Sequence, residues 1–175
     1  MVAVLFARSN SIYKQLPGCD VFDLARDARS YTGNDPVIAH PPCRGWGRLR
    51  HRAKVRADEK ELALFAVAQV QRCGGVLEHP WASSLWPVAD LPRPGLRDRF
   101  GGFTFGVMQG DFGHMAPKAT WLYIVGMEPA KLPAPSFELG IKSGRVELMG
   151  KAAREATPRA FALWLLDLAD RCCRG

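Results

Sequence analysis

The chain has 175 residues, 47% of them hydrophobic and 23% charged, and its 24 Lys and Arg outweigh 17 Asp and Glu to leave a net charge of +7. That length and hydrophobic content can build a sizeable core without metal or disulfide support, and no apolar stretch is long enough to span a bilayer. A basic balance of this size favours an anionic partner.

Five cysteines, at positions 19, 43, 73, 172 and 173, include no C-x-x-C pair, so neither a disulfide framework nor a zinc ribbon is expected. Reduced thiols and a cytoplasmic location fit this pattern, as does the lack of a basic region ahead of the first apolar run.

In chain order, "VAVLF" (Val2 to Phe6), "DVFDL" (Asp20 to Leu24) and "PVIA" (Pro36 to Ala39) are short β-prone runs that follow turn signals, and they are expected to be buried parallel strands. Asp58 and Glu61 then open a helix that Gly74 closes, with Leu62, Phe65, Ala66 and Gln69 on one face. "GVLEHP" (Gly75 to Pro80) predicts a fourth strand, and Trp81 to Gly102 a long loop.

"FTFGVMQGDFG" and "ATWLYIVG" predict two strands able to pair as a hairpin. The tail that follows is irregular, with one short strand pair. A last helix starts with Thr157 as N-cap and Pro158 at its first position. The expected fold is a Rossmann-like three-layer α/β sandwich over residues 1–175, mostly parallel, with a late antiparallel hairpin and no separate target-recognition domain.

In an open parallel sheet, ligands bind beyond the carboxyl ends of the strands. Reactive residues cluster at those ends: His40, Pro41, Pro42 and Cys43 after one strand, Glu78 and His79 closing the next, and His114 and Lys118 ahead of the last. Cys43 is followed by Arg44, Arg48, Arg50, Arg52, Lys54 and Arg56, with Trp46 among them, a composition suited to holding phosphates and stacking on a base.

The ordered set "HPPCRGWG", "LEHP" and "DFGHMAPKATWLYIVG" resembles the cytosine-C5 DNA methyltransferases, and in particular their short phage and prophage relatives. The resemblance implies that Cys43 adds to C6 of the base, that Glu78 hydrogen-bonds the N3 edge, and that Lys118 lowers the thiol pKa. It sets Phe6, Asp23 and Pro41 beside S-adenosylmethionine, although "LFARSNSIYKQL" lacks the glycines of the family's cofactor turn. DNA is the implied partner, with its target base flipped out of the stack.

Two other readings accompany this one. The chain could be a non-catalytic DNA-binding relative serving phage counter-defence. Alternatively, His40, Cys43, His79 and His114 could hold zinc for a base-modifying reaction. A transferred group larger than methyl would keep the Cys43 adduct and change only the electrophile.

Overall fold

A computed structural model of the protein describes residues 1–135 and 144–172. The three β-prone runs form β1 (Val2–Leu5), β2 (Cys19–Phe22) and β3 (Val37–Ala39), and β4 (Gly75–Pro80) follows the first long helix, α1 (Glu59–Cys73). Short connections of 3-10 turns, in place of full crossover helices, join β1 to β2 and β2 to β3. The predicted hairpin is present as β5 (Phe103–Met108) and β6 (Ala119–Val125). These six strands make one sheet in the order β2-β1-β3-β4-β6-β5, parallel from β2 to β4, with β6 antiparallel to both of its neighbours.

Alternation along the strands sends side chains to two faces, and each face has its own helix. Val4, Ile38, Val76, Leu122 and Ile124 pack under α4 (Arg159–Asp170) with its Phe161, Leu165 and Leu168. Leu5, Ala39, Leu77, Tyr123 and Val125 pack under α1 with Ala63, Ala66 and Val70. Two apolar cores on either side of one sheet make three layers, the arrangement that lets every strand of a parallel sheet be buried.

Several boundaries differ from expectation. Asp58 precedes α1 without a side-chain cap bond and faces Arg29 and Arg56 instead; it is Glu59 that accepts from the Arg56 N–H. The buried stripe of α1 runs through Leu62, Ala63, Ala66, Val67, Val70 and Cys73, which leaves Phe65 and Gln69 at its edge. The N-cap of α4 is Pro158, one residue later than the Thr157 expected. Within the predicted loop lies a further short helix, α2 (Leu85–Val88), because Trp86 has an apolar face to bury and donates its indole N–H to Thr104 at 2.8 Å. The short strand pair expected in the tail falls largely outside the described residues, and α3 (Lys151–Glu155) follows it.

Glycine is required where α1 gives way to β4. Gly75 has φ of +116°, and a Cβ there would stand 2.0 Å from the Val37 carbonyl oxygen, so any side chain would force β3 and β4 apart. Among the described residues no helix is long and apolar enough to cross a membrane.

Candidate functional site

The register Ala39↔Leu77 between β3 and β4 sets the residues just beyond it side by side. His40 and Glu78 both fall on the α4 face, where the His40 Nδ1 and Glu78 Oε2 are 3.1 Å apart. Behind His40, its Nε2 meets the Tyr13 hydroxyl at 3.2 Å. Tyr13 is 1% exposed, and its burial and the nearby Glu78 charge raise its pKa well above the usual phenol range. His40 thus bridges the Tyr13 hydroxyl and the Glu78 carboxylate, one through each ring nitrogen.

The other carboxylate oxygen, Oε1, accepts from Gln109 Nε2 at 2.8 Å, and the same amide reaches the Thr120 hydroxyl at 3.0 Å. Gln109 enters from the turn after β5, and Thr120 from β6. Burial alone would raise the Glu78 pKa, but the positive charge of Lys118 and the His40 hydrogen bond outweigh it and bring it down to about 2. Glu78 is thus an ionised, hydrogen-bonded carboxylate. Neither Tyr13 nor Gln109 is singled out by sequence alone: Tyr13 sits outside any strand-end motif, and Gln109 becomes legible only once the β5–β6 hairpin folds it back.

Cys43 follows β3 through Pro41 and Pro42, the first buried and the second half-buried. As a residue it is open to solvent, yet protein packs around it closely enough that lost hydration, followed by the Glu78 charge, pushes the thiol up to about 11. Lys118 acts in the expected direction and lowers it, but by less. Lys118 holds a left-handed backbone conformation, φ +42°, uncommon for a residue with a side chain and a form of strain that folds retain at functional positions. Cys43, Glu78 and Lys118 therefore share one electrostatic neighbourhood. Glu155 of α3 adds its charge to the same place, acting on both Cys43 and Arg44.

The remaining expected residues divide. Arg44 is occupied within the fold: its Nε donates to the buried Glu59 carboxylate at 2.7 and 2.9 Å, pinning the segment to the start of α1. Arg56, though exposed, pairs with Asp58 at 3.5 Å. Arg48, Arg50, Arg52 and Lys54 are exposed. Trp46 is buried rather than a surface platform; its carbonyl accepts from the Ser84 N–H and hydroxyl, both at 3.0 Å.

His79 departs from the expected ligand set for a geometric reason. One residue past Glu78 on a strand means the opposite face, so His79 lies on the α1 side with its ring 6.3 Å from that of Trp86. His114 is held by its own turn, Nδ1 paired within Ala116. The four candidate zinc ligands thus do not converge, and among the described residues no three His, Cys, Asp or Glu side chains form a metal-holding group.

The cofactor positions fit poorly. Asp23 is already engaged within the fold, with Oδ1 accepting from the Ala25 and Arg26 N–H groups and Oδ2 from Lys14 at 2.5 Å, and these bonds, led by that to Lys14, lower its pKa. Phe6 ends β1 at φ +61° with its ring edge-on to Phe65 of α1, so a side chain, not a glycine, occupies the turn that would approach S-adenosylmethionine. A surface depression of about 280 Å³ beside Met1, Pro17 and Leu166 lies at the opposite end of the parallel strands from Cys43.

Burial also makes His79 a handle on acid stability. It is 0% exposed, neither ring nitrogen meets a protein partner, and desolvation lowers its pKa from 6.5 to about 4 against the opposing pull of Glu78. A histidine depressed on folding stabilises above its unfolded pKa, and that stabilisation drains away as pH falls from about 6.5 to about 4. His79→Leu is expected to flatten this window in urea melts at stepped pH, and to leave the pH 7 stability equal or higher, since an unpaired polar group is removed. A steeper acid loss in the variant would contradict this.

Fold and site together define an α/β protein with a thiol, a carboxylate and an ammonium at the carboxyl end of its parallel strands. No family model, curated protein or solved structure matches the chain.

Proposed function

We propose that the protein modifies cytosine in DNA at C5 through covalent addition of Cys43 to the ring, in the manner of a reduced cytosine-C5 methyltransferase. The observation that carries this reading is that Cys43, Glu78 and Lys118, from three separate strand ends, lie near enough to act on one another's charge. A sheet parallel through β4 with a late antiparallel hairpin supports it at the level of architecture.

A protonated Cys43 and an ionised Glu78 oppose stepwise transfer of the thiol proton, so it moves in concert with attack. Sγ bonds to C6 as the thiol proton is relayed through the Glu78 carboxylate to N3, and the C5=C6 pair shifts so that C5 becomes enamine-like. C5 then takes an electrophile and gives its own proton to water, the S–C6 electron pair returns to sulfur, and N3 hands its proton back through Glu78 to the thiolate, which restores ring and thiol. His40 and Gln109 hold the two Glu78 oxygens from either side, and Lys118 offsets negative charge as sulfur attacks. In the resemblance the electrophile is the methyl of S-adenosylmethionine; with Asp23 and Phe6 already engaged, no step here is assigned to it.

A second reading has one observation behind it. A resting thiol near 11 is mostly protonated at neutral pH, which suits a DNA-binding relative without catalysis. Nucleoside mass spectrometry of DNA from cells expressing the protein, compared with Cys43→Ala, separates the two. A modified cytosine present only with the intact thiol is the expected result; identical nucleosides would favour the binding reading.

A further inference from the structure

Five tryptophans are present, and Trp81 alone among them is more than half exposed, at 52%. It is nonetheless fixed in place. Its ring lies 5.6 Å from that of Trp121, which in turn lies 5.2 Å from the buried Trp86, and it covers the gap over Gly106, where a Cβ would come within 3.4 Å of it. Its N–H bonds to the Ala119 carbonyl at 3.1 Å, beside Lys118 and three residues beyond Glu78.

The basic segment is tied to the same corner. Ser84, three residues after Trp81, grips the Trp46 carbonyl through both its N–H and its hydroxyl. From that anchor the chain continues through Arg50, Arg52 and Lys54, all exposed, and none of them ion-paired to a described residue. A propped aromatic ring loses little entropy when a flat partner covers it, and exposed cations on a segment tied to the same loop select a partner that carries phosphates.

We propose that Trp81 is a stacking platform for an unpaired base of a DNA strand whose phosphates are held by Arg50, Arg52 and Lys54. The proposal rests on the DNA-binding part of the reading above and not on its chemistry. Stacking on a π-face is tolerant of base identity, so this contact holds strand next to the site without choosing a sequence.

The test is fluorescence anisotropy of the full chain with a labelled single-stranded 12-mer of mixed cytosine and thymine, titrated at several salt concentrations. Trp81→Ala is expected to weaken binding roughly 5- to 150-fold at every salt concentration, with Trp81→Phe restoring most of it. The slope of log affinity against log salt should stay unchanged in both. Arg50→Ala with Arg52→Ala should instead reduce that slope by about 1.4. Wild-type affinity in Trp81→Ala, with weakened binding in the arginine variant, would overturn the platform and leave the DNA reading standing. No binding by the wild type at low salt would overturn both.

Discussion

Glu78→Gln is expected to slow addition of Cys43 to cytosine by about 10²- to 10⁴-fold, read as exchange of the C5 hydrogen for deuterium in heavy water. Glutamine keeps the shape and can still meet His40 or Gln109, but it can neither take the thiol proton nor hand one to N3. The same substitution has a stability signature. A carboxyl whose pKa falls from 4.5 to about 2 on folding stabilises the native state above the unfolded value, and the contribution is lost as pH falls through 4.5 toward 2. With the side chain 14% exposed, a difference of that size corresponds to on the order of 3 kcal/mol. Acid titration of the variant should lack that lower window while keeping the one assigned to His79. A variant that exchanges C5 hydrogen at the wild-type rate would remove Glu78 from the chemistry.

Cys43→Ala should have the larger effect on activity and almost none on stability. Removing the nucleophile leaves no route to the C6 adduct, so exchange should drop by roughly three orders of magnitude or more, to the uncatalysed background. The residue is solvent-exposed and its thiol makes no hydrogen bond to another described side chain, so the change in stability should stay within about 1 kcal/mol. The rate in the wild type should climb as pH approaches the thiol pKa of about 11, because more thiolate is then present before the base arrives. Loss of folding in Cys43→Ala would recast the cysteine as a packing residue.

The layering of the fold was legible because it rests on period: apolar runs bounded by turn signals gave β1 to β4, and the Trp121–Val125 run with its partner gave the hairpin. The ends of elements were harder. Pro158 caps α4 where Thr157 was expected, and the start of α1 depends on Glu59 and Arg44, a pair 15 residues apart that no local pattern reveals.

At the site, strand-end position put Cys43 and Glu78 in a group with His40, His79, His114 and Lys118, since residues at the carboxyl ends of neighbouring parallel strands must be near one another, and the family resemblance singled out the pair. Strand parity then separated what sequence could not: Glu78 and His79 are adjacent in the chain but lie on opposite faces. His40 read as a metal ligand because its imidazole was visible and its partner was not. The Tyr13–His40–Glu78 chain exists only because the turn after β1 folds back under β3. Trp46, expected to stack on a base, is buried for a similar reason, since exposure depends on what packs opposite, here the distant segment around Ser84.

The most direct measurement of the central claim is the time course of C5 deuterium exchange in a short single-stranded oligonucleotide containing one cytosine, incubated in heavy water with the purified protein and no added donor. Reversible addition of Cys43 puts a deuteron on C5 and expels the proton when the S–C6 bond breaks, so the account predicts exchange of one hydrogen for deuterium per cytosine, a gain of about 1 Da, at a rate proportional to protein concentration. An oligonucleotide whose cytosine keeps its hydrogen, at a protein concentration that binds all of it, would contradict covalent catalysis by Cys43.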